Sequence, residues 1–416
     1  MTEKIFMRNK KILYIIGAGV SASISDTVPT MKNFFEKAIK MLDAEKKVFL
    51  ITFAFAEEAR AFSPNPDVEN LGIKLGVINR LHEKIDHRKK DHRESDIVEE
   101  ELNEYIVNYK KAFMADKLRM YANLEDVFSK LESEKERKDA ADQTYERLQF
   151  IINSLFYRLD RDLNDKFKDA IHHNFSDFIA KLEGVDHTFI SFNYDLWLEK
   201  ALHAKGIWHP QDGHGYVFKY YSPPISDEWN KSGKVIEPKS FNDHVGKSKV
   251  KVLKPHGSLS WRFGKGHDNG IIILEDEDDE NSCVAYNPTW YYPPSEFSKK
   301  VELKIFPLIV PPAPNKIRKH PLFWKTDKDI LIALKEADTV VIIGWSMPET
   351  DQYFRQMVSW ALNKREEPIK KLLVCDRQPS IQSLIPKFEA IFRPIETETY
   401  DKGFSKNFVD FLKEKI

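Results

Sequence analysis

Apolar residues first gather at Lys11 to Ile16 (KILYII), a short run that predicts a buried strand, and GAGVSAS follows at once. From about residue 33 to 182 the apolar period becomes helical. Leu148, Ile151, Ile152, Leu155, Phe156, Leu159 and Leu163 fall on one helix face. Leu102, Tyr105, Ile106, Tyr109 and Phe113 form a second stripe, and Leu71, Leu75, Ile78, Leu81 and Ile85 a third. Strand-like runs then return at His187 to Phe192, Val250 to Leu253, Lys304 to Val310, Thr339 to Ile343 and Lys371 to Cys375. Helical patterns lie among them at Leu196 to His203, Asp327 to Ala337 and Asp351 to Asn363. Near-continuous apolar strands alternating with helices predict an α/β fold, a Rossmann-like parallel sheet with helices on both faces. A large all-helical insertion interrupts it. The expected organisation is a discontinuous sheet domain at 1–32 and 183–390, a helical insertion at 33–182, and a tail at 391–416. In that tail Phe408, Phe411 and Leu412 have helical spacing. Polar stretches at about 206–249 and 264–300, the second carrying the acidic run Glu275 to Glu280, read as surface excursions.

Composition narrows the partners. The 416 residues are 42% hydrophobic and 31% charged, as in ordinary globular proteins. Lys and Arg number 64 against 65 Asp and Glu, so no basic excess calls for a phosphate backbone. The densest basic run, His87 to Arg93, is interrupted by Asp91 and reads as a solvated helix face, so direct nucleic-acid binding is not expected. Cys283 and Cys375 are the only cysteines, too few for a disulfide framework or a four-cysteine zinc site. The N-terminus is too polar for a signal peptide, and no apolar run approaches the roughly 20 residues that cross a bilayer. A cytosolic protein is expected.

Candidate chemistry lies in four loops, each directly after a predicted strand. Gly17-Ala18-Gly19-Val20-Ser21-Ala22 meets the G-x-G-x-x-A pattern in the right context for a dinucleotide pyrophosphate. A dehydrogenase would also want an acidic residue after the second strand, and the best-spaced one, Asp43, sits in a helical pattern. In Ser191-Phe192-Asn193-Tyr194-Asp195, Asn193 offers a donor and an acceptor, while Asp195 either holds a hydroxyl or caps the following helix. Lys254-Pro255-His256-Gly257-Ser258-Leu259 either presents His256 to a cleft or holds a satisfied loop histidine. In Gly344-Trp345-Ser346-Met347-Pro348, Gly344 permits close approach to a ligand and Ser346 is placed to cap the next helix. All four fall at C-terminal strand ends, where open parallel sheets bind ligands.

The order of these loops resembles the sirtuin family. GAGVSAS resembles its first NAD-binding loop, FNYD its Asn-containing motif, KPHGSL its His-Gly motif, and GWSMPETD its late ribose-contacting loop. The resemblance implies that NAD is the substrate and that Asn193 and His256 are catalytic. It implies that Gly17, Ala18, Gly19 and Ser23 hold the phosphates and nearby ribose, and that Asp195, Gly344 and Ser346 hold sugar hydroxyls. Asp376, just past the last strand, fits an adenine-side contact. Two departures stand out: the zinc cysteines are missing, so no zinc is expected, and the usual Pro-x-Phe-Arg segment is replaced by Val28-Pro29-Thr30-Met31-Lys32. That combination resembles the sirtuin-like NADases of bacterial antiphage defence, and the length of the chain resembles the subunit that pairs with a HerA-type ATPase. The implied activity is hydrolysis of NAD to nicotinamide and ADP-ribose by a homo-oligomer. Protein deacylation or ADP-ribosyl transfer, and NAD sensing without cleavage, remain open beside it.

Overall fold

The KILYII run folds as the central strand of the main sheet. A computed structural model describes residues 9–30, 34, 37, 152, 155–156, 158–160, 162–168, 170–210, 212–215, 219–221, 246, 248–264, 271–273, 305–310 and 321–416. Strand β1 (Lys10–Ile16) lies parallel between β2 (Val185–Ser191) and β8 (Thr339–Ile343), with Ile15 opposite Ile190 on one side and Ile342 on the other. Further parallel pairings extend the sheet to β4 (Val250–Leu253) beyond β2, and to β9 (Lys371–Cys375) and β10 (Glu396–Tyr400) beyond β8. Counted in chain order among themselves, the six strands run 3-2-1-4-5-6 from the β4 edge. This is the Rossmann-like, doubly wound order, and its direction reverses between β1 and β8.

Helices cover both faces, which is why β1 needs no polar side. Successive side chains point to opposite faces. Leu13 and Ile15, with Val340, Ile342, Leu372 and Val374, join one core with α5 (Pro321–Glu336), α6 (Gln352–Leu362) and α7 (Ser380–Phe392). On the other face Tyr14 stacks on Phe189 at 4.6 Å and meets Phe175 of α3 (Ile171–Lys181) edge-on at 5.6 Å. Helix α3 packs in turn against α4 (Trp197–Ala204) and α8 (Lys406–Lys415), with Phe404, just before α8, edge-on to Phe175.

Two features depart from the sequence pattern. The run Lys304 to Val310 does form a strand, β7 (Ile305–Ile309), but it pairs antiparallel with β5 (Gly257–Gly264) in a second sheet. That sheet has the order β3-β6-β5-β7, completed by β3 (Lys219–Tyr221) and β6 (Ile271–Ile273). The segment set apart as a tail supplies both β10 and α8. Strand β10 escapes the pattern because ETETY sits at the sheet's edge and is nowhere fully buried. Charge at an edge also discourages pairing with another chain.

By compactness the chain forms two units, Met1–Val28 with Phe128–Ile416, and Pro29–Val127. The sheets and helices above belong to the first. The stripes at Leu71 to Ile85 and Leu102 to Phe113 lie outside the described residues. Of the remaining stripe, Ile152, Leu155, Phe156, Leu159 and Leu163 are buried, followed by the short α2 (Asn164–Lys168).

Candidate active site

At the point where strand order reverses, the loops after β1 and β8 interlock backbone to backbone. Gly17 N–H donates to Ile343 O at 3.0 Å and Gly19 N–H to Gly344 O at 3.1 Å. Gly344 has φ +60°, and a Cβ there would lie 2.6 Å from Gly19 Cα. A Cβ on Gly19 would lie 2.7 Å from Gly344 Cα, and one on Gly17 would overlap Gly344 O. Real atoms do not approach so closely, so these positions demand glycine for loop-on-loop packing alone. With both N–H groups already donating, a phosphate on this edge would be met by other donors. Helix α1 (Ala18–Ala22) begins inside the loop, with Ala18 half-buried at its start. Ser23 turns its hydroxyl back to Val20 O at 2.6 Å.

The loop after β2 is tied to this crossing through Asn193. Its Nδ2 donates to Gly17 O at 3.0 Å and to Ser21 Oγ at 2.8 Å. Because a carbonyl can only accept, the amide is oriented by chemistry, and Oδ1 is left as its acceptor. Ser21 Oγ–H donates in turn to Asp195 Oδ2 at 2.6 Å, while Asp195 Oδ1 accepts a longer bond, 3.4 Å, from Trp197 N–H at the start of α4. Leu196 stands at the cap position without a side-chain cap, and Asp195, one residue earlier, holds the first turn by that single long bond and anchors the chain that aims Asn193. Burial pushes its carboxyl up to about 6, opposed chiefly by Lys254 and then by the Ser21 hydroxyl. Lys254 Nζ reaches Asp195 O at 2.7 Å and is ion-paired with Glu199, both side chains being buried.

His256 follows β4, one strand beyond β2. Gly257 next to it has φ +77°, and a Cβ there would overlap Leu308 O. Only glycine lets the chain turn from β4 into β5 beneath β7. The backbone of His256 is clamped by Val310 N–H donating to its carbonyl at 2.8 Å, and Tyr194 OH donates to Val310 O at 2.7 Å. Its ring stands edge-on to Phe192 at 5.0 Å, and Nε2 lies 3.1 Å from Asp351 Oδ1. Asp351 ends the 3-10 turn Glu349–Asp351 before α6, and its Oδ2 accepts from Trp345 Nε1 at 3.1 Å. Trp345 lies flat on Phe192, with ring centres 5.0 Å apart and planes 5° from parallel.

The structure therefore brings Gly17, Asn193, Asp195, His256 and Gly344 to one sheet edge, Asn193 bonding Gly17 directly, Asp195 joined through Ser21, and His256 through Phe192 and Asp351. Gly19 and Ser346 are exposed on that edge. Ser346 is not the helix cap expected of it, since the 3-10 turn starts from Pro348 with no side-chain cap. Asp376 lies past β9, where its carboxylate accepts Arg377 N–H at 2.7 Å and its backbone bonds Tyr400 and Gly403, on the β10 side. Burial raises its carboxyl above the usual carboxylate range. Sequence reasoning missed Ser21, Glu199, Lys254 and Asp351. Ser21, Lys254 and Asp351 stand in quoted motifs, GAGVSAS, KPHGSL and GWSMPETD, but only the fold reveals their partners. Among the described residues no group of three or more His, Cys, Asp or Glu is placed to hold a metal ion, and no helix is long and apolar enough to cross a membrane.

A six-stranded Rossmann-like parallel sheet with helices on both faces defines an α/β protein, and Asn193 and His256 follow the C-terminal ends of two of its strands. The family profile described as a SIR2-like domain matches residues 187–392, which supports a sirtuin-like, NAD-using protein. The match opens within β2 and leaves out β1 and its glycine loop. The pairing of β1 with β2 and β8 places that loop beside the matched segment. No curated protein matches the chain.

Proposed function

We propose that the protein hydrolyses NAD, with water replacing nicotinamide at the ribose carbon to give nicotinamide, ADP-ribose and a proton. The observation that carries this reading is the delivery of Asn193 and His256 by adjacent loops to the edge where strand order reverses. Asn193, its NH2 committed to Gly17 and Ser21, presents Oδ1 to a ribose hydroxyl or the attacking water. His256 takes the proton from that group. Positive charge develops on the ribose as the bond breaks, and nicotinamide leaves without strong acid assistance. Gly19, Ser23, Gly344, Ser346 and, farther out, Asp376 contribute the surface along which the rest of the dinucleotide lies.

The test is incubation of the purified protein with NAD, with nicotinamide, ADP-ribose and NAD resolved by chromatography. Equimolar release is expected, with a loss of about 10²-fold or more in His256→Ala and in Asn193→Ala. Full activity in a soluble double variant would overturn the residue roles. Mass added to or removed from a protein acceptor would point to transfer, and tight NAD binding without product to a sensor. The setting proposed with this activity, from the resemblance to zinc-less sirtuin-like effectors, is a cytoplasmic antiphage effector acting as a homo-oligomer with a HerA-type ATPase. Running the same assay with that ATPase added, and weighing the assembly, tests it. Unchanged turnover and no co-assembly would remove the ATPase from the proposal.

A further inference from the structure

We infer that Asp351 is a positioning residue for His256, holding the imidazole with its proton on Nε2 and its basic lone pair on Nδ1. The inference rests on the proposed role of His256 as proton acceptor, and it specifies which ring atom accepts. Asp351 is almost wholly buried, and its two oxygens face two different rings, His256 Nε2 and Trp345 Nε1, each at 3.1 Å. An indole N–H can only donate, and an ionised carboxylate can only accept. One oxygen is therefore committed to Trp345 and the other is turned to the imidazole. The carboxylate is not free to swing, because Trp345 is itself fixed. It is stacked on Phe192, lies nearly flat against Phe388 at 5.8 Å and meets Phe354 edge-on at 5.4 Å. An acceptor facing Nε2 selects the tautomer that carries hydrogen there, as a carboxylate does beside other catalytic histidines.

Asp351→Asn separates this role from packing. Asparagine keeps the shape but has one oxygen and one NH2. The Trp345 N–H claims the oxygen, the NH2 then faces His256 Nε2, and the ring proton is forced onto Nδ1. Nitrogen-15 NMR of histidine-labelled protein, with His256 assigned by subtraction of a His256→Gln spectrum, should show hydrogen on Nε2 in the parent and on Nδ1 in Asp351→Asn. The kcat for NAD should fall by about 10²-fold or more while KM changes little. Adding Trp345→Phe releases the asparagine oxygen to face His256, so the double variant should regain the Nε2–H signal and part of the rate. A merely structural Asp351 predicts further loss instead. A parent spectrum with hydrogen on Nδ1 overturns the inference even if no variant folds, and so does unchanged kcat in Asp351→Asn. The spectra are read without turnover. If the parent cleaves no NAD yet the tautomer inverts as described, the hydrolase reading falls and the positioning by Asp351 stands.

Discussion

Asp195 holds a negative charge where little water reaches it, and only Lys254, Ser21 and the Trp197 N–H offset that burial. Its folded value of about 6 lies above the ordinary 3.8, so the native state binds this proton more tightly than the unfolded chain. The contribution to stability is full below about pH 3.8 and is lost as pH rises through about 6, roughly 3 kcal/mol across that window. Asp195→Asn has no such loss. Measured by denaturant titration, its stability relative to the parent should improve by up to about 3 kcal/mol between pH 4 and pH 7. A constant difference would show that Asp195 titrates normally. Residues of this kind divide sharply in what sequence reveals. The positions of Asn193 and His256 are legible because polar residues just after apolar strands fall at the C-terminal edge of the sheet. Asp351 is not, because its meaning comes from two rings that only tertiary folding brings to it. The glycines are legible as glycines, yet the pyrophosphate reading overlooks that Gly17 and Gly19 are already held by the loop after β8.

Among elements, β4 and α4 are joined by a buried ion pair. Lys254, the residue after β4, pairs with Glu199 in the first turn of α4, and neither is exposed to water. Removing one partner strands the other charge, so Glu199→Ala should lower stability by about 3–5 kcal/mol. Glu199→Leu with Lys254→Met should recover most of that, because a buried pair stabilises little over an apolar pair of similar volume. Recovery absent from thermal or denaturant unfolding would mean that the Lys254 bond to Asp195 O matters more than the ion pair. Legibility follows burial at this scale. KILYII, TVVII and KLLVC announce themselves because helices cover them on both sides. IFPLIV announces a strand but not its sheet, since an apolar run says nothing about direction. Strand β10 announces nothing, because alternating Glu and Thr at an edge resembles a loop.

At the scale of the described fold, buried histidines favour unfolding in acid. Burial lowers His172 and His214 to about 3 and His187 to about 4, against 6.5 in an unfolded chain. Their contribution to stability is complete above pH 6.5 and is lost as pH falls toward those folded values. Each fully buried ring can account for about 5 kcal/mol, comparable to the whole stability of many domains. Asp195 acts in the opposite sense over part of this range and cannot cancel three rings. His172 is the most telling, since neither ring nitrogen has a hydrogen-bond partner among the described residues and its neighbours are Phe167 and Phe404. His172→Leu should match or exceed the parent's stability at pH 7.5 and should unfold at a lower pH on acid titration followed by circular dichroism. An unmoved acid midpoint would exclude His172 from the transition. The doubly wound architecture was legible from the alternation of strands and helices alone, while the strand order emerges only from pairing.

That order has a consequence during synthesis. Strand β1 is complete by residue 16, but its neighbours begin at residues 185 and 339. At roughly 5–20 residues per second, an apolar strand spends many seconds outside the ribosome before either side can be covered. The crossing of Gly17 and Gly19 with Gly344 forms later still. A chain cut short anywhere before β8 therefore lacks the crossing that completes this edge. For a protein proposed to destroy the NAD of its own cell, that timing would leave unfinished chains and early degradation fragments harmless.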